Sequence, residues 1–405
     1  MPASDEWVQY RKWSEEFSAL ISKLRSKPEL NAGKESDIIY LNIFERRSSK
    51  YSGSMGWGWG LKLLNYGGGW RAHHRLAVKG FDAQVVPKLN LAFTRNACGL
   101  LHRLLTSPEA WNEHIRQSNQ GAMVIVVSYG LDVLPQTDPF IDINSWRVLG
   151  QYVPILKHVP SWFPGAGFKR KAKEWKRHID ETLEAPFKAL KEDIALAVWQ
   201  NRHSQRCLRH MDPNTDTAYQ ERIIKGTAGV IMRSSDSISA TAGADTISIQ
   251  SVPFLATFVL AMIQYLAVQR RAQAELDSVL GPDRLPTFDD MPALPYLSAI
   301  TKECHRWEVV LPLAVPHMLT ADDEYRGWLL PSGTLVIPNS WAIFNDPTVC
   351  PDTSVFNPER FLKDGKIDPA VQDPQMAVFG YGRRICPGRR IANAFTWLSA
   401  GYILP

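Results

Sequence analysis

The sequence lacks the features that most quickly assign a chain to a class. Its five cysteines (Cys98, Cys207, Cys304, Cys350 and Cys386) are scattered through 405 residues, odd in number, with no pair at Cys-x-x-Cys spacing. That argues against a disulfide framework and against a cysteine-rich zinc site. Charge of one sign is barely in excess: 46 basic against 41 acidic residues leave +5, which makes no case for nucleic acid as a partner. The start, "MPASDEWVQYRKW", has no apolar run, so the chain as read carries no N-terminal signal or anchor. Internal repeats, low-complexity tracts and an interdomain linker are also missing. One long uncharged stretch exists, "SVPFLATFVLAMIQYLAV" at residues 251–268, but Pro253, Gln264 and the absence of apolar flanks favour a buried core helix over a membrane span.

What is present is mostly helical periodicity. Trp7, Tyr10, Trp13, Phe17, Ile21 and Leu24 recur at three- and four-residue spacing and predict an amphipathic helix, and "IIYLNIF" after it predicts a short strand. Several helical stretches follow across residues 91–199, interrupted by the Pro/Gly-rich "HVPSWFPGAGF". The basic run "FKRKAKEWKR" reads as a solvated helix face. Further on, "GPDRLPTFDDMPALPYL" is a turn-rich entry to a helix carrying "AITKECHRWEVV". After it, "EYRGWLLPSGTLVIPNSWAIF" predicts strands about a Pro-Ser-Gly turn. The fold class is mainly α with a minor β-sheet, and residues 1–405 read as a single domain.

The chemistry concentrates in "FGYGRRICPGRR", residues 379–390. A cysteine acts as ligand or nucleophile only as thiolate, a form favoured by nearby cations or a helix N-terminus. Arg383, Arg384, Arg389 and Arg390 surround Cys386, and "RRIANAFTWLSA" after it predicts a helix with Ile391, Phe395 and Leu398 on one face. Gly380, Gly382 and Gly388 admit a tight loop and close approach of a flat partner. A buried inert cysteine is the plainest reading of a single thiol, and zinc would need companions that are not nearby. A single axial thiolate is the arrangement that haem iron accepts.

The pattern Phe379-x-x-Gly382-x-Arg384-x-Cys386-x-Gly388 resembles the haem-binding loop of the cytochrome P-450 superfamily. Glu303 and Arg306 in "KECHR" resemble its Glu-x-x-Arg pair, and Arg360 in "FNPERF" the arginine that joins that pair behind the loop. "AGADT" resembles the oxygen-binding segment of the central helix. There Gly243 leaves room above a flat cofactor, and Asp245 and Thr246 can relay protons during dioxygen activation. "YGGGWRAHHRL" resembles a propionate-holding helix start, with Trp70 and, where arginine is usual, His74. His317 and Arg384 complete the expected propionate contacts, a guanidinium being suited to a carboxylate.

The resemblance, closest to fungal members that oxidise secondary metabolites, implies haem b held by the Cys386 thiolate. It implies insertion of one oxygen atom from dioxygen into a small lipophilic substrate. Electrons would come from an NADPH-cytochrome P-450 reductase docked on the basic face around Cys386. A monomer at the cytosolic side of the endoplasmic reticulum membrane is implied as well. Departures are expected too: extra sequence in "MRSSDSISA", a kink or break at Pro253, and a domain without the N-terminal anchor and C-terminal strands of the family. Two alternatives follow, a non-catalytic remnant and a haem-thiolate isomerase or dehydratase. The Asp245–Thr246 pair disfavours the second.

Overall fold

The computed structural model describes residues 61, 64, 66–81, 86–111, 114–115, 167–195, 203–233, 248–281, 284–315, 317–325 and 328–405. The helices expected at residues 7–24 and the strand at 38–44 lie outside them. Eleven α-helices occur among the described residues: α1 (Gly68–Gly80), α2 (Asn90–Thr106), α3 (Gly167–Ala195), α4 (His203–Arg209), α5 (Thr217–Arg233), α6 (Ser248–Gln264), α7 (Leu266–Leu280), α8 (Pro295–Trp307), α9 (Ser340–Phe344), α10 (Gln375–Val378) and α11 (Arg389–Ile403). Six short strands accompany them: β1 (His317–Met318), β2 (Asp323–Tyr325), β3 (Trp328–Leu330), β4 (Leu335–Val336), β5 (Leu362–Lys363) and β6 (Lys366–Ile367). The chain divides into two compact units, one of Glu45–Ala92 and Arg116–Ser248, the other of Met1–Phe44, Phe93–Ile115 and Ile249–Pro405.

In the unit of Glu45–Ala92 and Arg116–Ser248, α5 packs against α1, α3 and α4. Trp70, His73 and Ala77 fall three and four residues apart on α1 and are all buried, as are Ile223, Ile224, Thr227 and Ala228 on α5. Leu183, Phe187 and Leu190 make the corresponding stripe of α3, each contributing roughly 1.5–3 kcal/mol on full burial. Charged residues stay at the rim, where Lys191 pairs with Glu221 at 2.6 Å and Lys225 with Glu184.

The other unit is built on α6, α8 and α11. Phe254, Leu255, Phe258, Ala261 and Met262 of α6 are buried, which is the core helix expected from the uncharged run. Of the kink or break expected at Pro253, the break does not occur, since α6 runs through it. Proline forfeits one helical hydrogen bond, and burial of Phe254, Leu255 and Phe258 after it offsets that loss. The chain turns instead at Tyr265, where the segment Pro253–Gln264 and α7 lie at 105°. Tyr265 is held in the turn by its ring contacts with Trp307 and Phe356, at 5.9 and 5.6 Å, and by its hydroxyl, which accepts from Phe356 N–H. No single described helix is long and apolar enough to cross a membrane, and α6 with α7 passes that test only as a bent pair.

Helix α8 starts at Pro295 after Leu294, which has no side-chain oxygen to cap it. Glu275 of α7 does so from outside, accepting from Tyr296 N–H at 2.8 Å and Leu297 N–H at 2.9 Å. Helix α11 is buried along nearly its whole length, from Ile391 to Tyr402. Phe395 and Trp397 join Phe93 and Phe288 in an aromatic cluster, and Trp397 Nε1 donates to Ser298 of α8. A methyl group on Gly401 would stand 2.8 Å from Pro286 Cγ, so only glycine lets α11 approach that closely.

The minor β-structure is three antiparallel two-stranded ladders: β1 with β4, β2 with β3, and β5 with β6. The Pro-Ser-Gly turn forms as expected, closed by Thr334 N–H to Pro331 C=O at 3.0 Å with Gly333 at φ +85°. The strands either side of it, β3 and β4, pair with different partners and not with each other.

Candidate haem-binding site

Cys386 lies in the loop between a 3₁₀ turn, Gly382–Arg384, and the start of α11. Its amide donates to Phe379 C=O at 2.8 Å, and Ile385 and Arg384 amides close the inner turn onto Gly382 and Tyr381 carbonyls. The residue is 5% exposed, in an apolar cluster with Phe379 and Ala392 that Val378 and Ile385 border. Gly380 at φ +79° and Gly382 at φ +54° hold the left-handed conformations that let so short a loop reverse. At Gly380 a Cβ would still be 3.8 Å from its nearest neighbour, so backbone conformation and not space demands glycine there. Gly388 is different: it caps α11 at φ −83°, open to any residue. The first-turn amides of α11 lie at the Cys386 end, where their partial positive charge favours a thiolate.

Behind the loop stands the expected brace, now with its geometry. Glu303 is fully buried and accepts two hydrogen bonds from Arg306, Nε to Oε2 and a terminal nitrogen to Oε1, both at 2.8 Å. Arg360 Nε reaches Oε1 at 3.1 Å, and Asn357 N–H reaches it at 2.8 Å. The spare donors of both arginines go to carbonyls of Pro351, Thr353 and Val355. This is a buried network in which every charge has oriented partners, the condition under which buried ions do not destabilise a core.

Three anchors of the loop were not singled out in the sequence. Tyr381 hydroxyl and Ser340 hydroxyl of α9 lie 2.9 Å apart, and burial pushes the Tyr381 pKa up to about 12. Lys302 of α8 pairs with Asp373, whose other carboxylate oxygen accepts from Gln375 N–H at the start of α10. His305, inside the quoted "KECHR", is buried with its ring edge toward Phe379. The only sequence signal for His305 is its place on the inner face of α8, two residues from Glu303.

The remaining expected residues are placed as follows. Arg384 is half-buried in the 3₁₀ turn, while Arg383 and Arg390 are exposed. His317 is half-buried on β1, opposite Val336. Trp70 and His74 belong to the other unit, on the first two turns of α1 after Gly67, where the His74 ring stacks on Trp70 with centroids 4.5 Å apart. Asp245 and Thr246 lie outside the described residues.

The donor set fits haem. Among the described residues no group of three or more His, Cys, Asp or Glu side chains could hold a bare metal ion. A single thiolate from the loop is the ligation that haem iron accepts. The apolar wall about the sulfur and the adjacent Arg384 suit a flat macrocycle bearing carboxylates.

Comparison with known proteins agrees. The family model described as Cytochrome P450 matches residues 141–396. The chain is 37% identical to tryptamine 4-monooxygenase of Psilocybe cyanescens over 434 aligned positions, covering all of this chain and 82% of that protein. It is 34% identical to cytochrome P450 monooxygenase 98 of Postia placenta and to cytochrome P450 monooxygenase COX2 of Coprinopsis cinerea, again over its whole length and over 79% and 78% of theirs. The buried Cys386 loop, the buried carboxylate–guanidinium network of Glu303, Arg306 and Arg360 and these relatives together make the chain a member of the cytochrome P450 family of haem-thiolate monooxygenases.

Proposed function

We propose that this chain folds as one domain over residues 1–405 and inserts one oxygen atom from dioxygen into a small lipophilic molecule. Its electrons come from an NADPH-linked reductase. The observation that carries the reading is Cys386, buried in an apolar cluster at the head of α11 and held by its own amide to Phe379. Haem, when bound, supplies dioxygen activation and oxygen transfer.

The chain's residues have the positioning tasks. Cys386 would hold the haem iron through its thiolate; Phe379 packs beside it, Gly382 shapes the loop and Gly388 caps α11. Arg384 and His317 would hold haem propionates, the arginine as a charge-assisted donor. Asp245 and Thr246 would supply protons for dioxygen activation. The exposed Arg383 and Arg390 favour an acidic electron donor by charge complementarity. The protein acts as a monomer at the cytosolic face of the endoplasmic reticulum membrane.

The test is to express this chain with haem supplied and record the spectrum of the reduced carbon monoxide complex. A thiolate-type band is expected in the parent and none in Cys386→Ala. A band unchanged by that substitution removes Cys386 as ligand. NADPH consumption with added reductase then reads turnover, and tryptamine, which names the substrate of one relative, is the first compound to assay.

A further inference from the structure

We propose that His73 is an acid-sensitive latch, which seats α1 on α5 when neutral and releases it when protonated. The inference concerns the unit of Glu45–Ala92 and Arg116–Ser248 and does not depend on what Cys386 binds. His73 is 5% exposed, on the buried face of α1 between Trp70 and Ala77, and α5 is the helix that α1 packs against most. Its Nδ1 lies 2.9 Å from Gly69 C=O. A carbonyl only accepts, so Nδ1 carries the ring proton and Nε2 is a bare lone pair. Nε2 is buried and bonded to nothing. Thr227 Oγ1, a buried hydroxyl of α5, is unbonded too, so the two do not meet.

Acid must place its proton on Nε2. The new N–H is then buried without an acceptor, and the ring is a cation out of water, so both changes count against the packed helix pair. Among the described residues no carboxylate receives it. Helices α1, α4 and α5 carry one acidic residue between them, Glu221. Glu221 pairs with Lys191 of α3 at 2.6 Å, and Glu184 of α3 is taken by Lys225. The charge of α5 that acts on His73 is Arg222, of the same sign as the incoming proton. Of the remaining charged and titratable groups, Arg71, Arg75 and Lys79 of α1 and Arg209 of α4 are exposed, Arg206 is half-buried, and the His74 ring stacks on Trp70. Burial holds the His73 pKa below 6.5; the Gly69 bond opposes that shift and Arg222 adds to it. Because the folded value lies below the unfolded one, the latch contributes fully above about pH 6.5 and is lost as acid titrates the folded ring.

The test is hydrogen exchange of the full chain with haem bound, read at the α1 amides and corrected for the intrinsic effect of pH on exchange. Between about pH 7 and about pH 5 the parent is expected to lose α1 protection severalfold. His73→Gln cannot take the proton and should keep its protection constant across that range, whatever its level at neutral pH. Arg222 is exposed, over the Tyr219 ring at 5.2 Å. Arg222→Glu puts a carboxylate where the like charge stood and should flatten the loss with His73 still in place. A merely structural histidine would leave His73→Gln less protected at every pH and as pH-dependent as the parent. That result, or α1 protection in the parent that does not change with pH, overturns the proposal. Should His73→Gln fail to fold, Arg222→Glu decides alone, and a loss as steep as the parent's overturns the latch.

Discussion

Helices α3 and α8 both carry oppositely charged side chains one turn apart, and the two sets have opposite fates. On α3, Lys176–Asp180, Arg177–Glu181 and Lys188–Glu192 all face water, the last with its lysine 80% exposed. On α8, Glu303 and Arg306 are 0% and 3% exposed, and Arg360 from a distant turn completes their network. Spacing along the helix is the same local rule in both. The energetics differ because water screens the first set and returns most of their charge energy to the unfolded chain. In the second, each ion has lost its hydration, so each depends on the others.

The comparison breaks first at Glu303. Glu303→Ala leaves the buried guanidinium of Arg306 and the half-buried one of Arg360 without their shared carboxylate. It is expected to cost at least about 3–5 kcal/mol in urea unfolding and to lower haem loading. Acid should act next, through His305 on the same helix. Burial lowers its pKa from 6.5 to about 4, with Lys302 pushing the same way and Asp373 and Asn393 opposing. Because the folded value lies below the unfolded one, the unfolded chain takes up the proton first. The contribution is therefore complete above about pH 6.5 and is lost as pH falls toward 4. Unfolding curves across that range should show roughly 3 kcal/mol of extra acid sensitivity, absent in His305→Phe.

Gly401→Ala probes packing near the same helix without touching charge. A methyl group 2.8 Å from Pro286 must push α11 outward, and about 1–3 kcal/mol is the expected loss in thermal unfolding. The smallest effect belongs to α3, where Lys188→Ala should change stability by less than about 0.5 kcal/mol and vanish into error at high salt. A large loss there would show that α3 depends on its charges as α8 does, and the contrast would collapse.

Legibility in the sequence followed the same divide between local and distant causes. The cysteine loop could be read because glycine, arginine and cysteine act within ten residues of one another, and the structure places Gly380 and Gly382 in the conformations such a loop needs. The α8 helix and the Pro-Ser-Gly turn were equally local. His305 was passed over although it sits between Glu303 and Arg306, because its partners Phe254 and Phe379 are 51 residues before it and 74 after it. That the helix runs unbroken through Pro253 was not legible for a related reason, since proline's local cost is visible in sequence and the compensating burial of Phe254, Leu255 and Phe258 is not.

By itself the sequence determined the family, the turn-forming glycines of the cysteine loop and the charged residues of the brace, because each is written as a short pattern whose chemistry is contained within it. Only the tertiary structure decided which of several similar ion pairs is buried, where the apolar run turns and which histidine of α8 is enclosed between Phe254 and Phe379. Burial and contact belong to pairs of residues brought together from far apart, and desolvation, which sets their energies, exists only once the chain has closed around them.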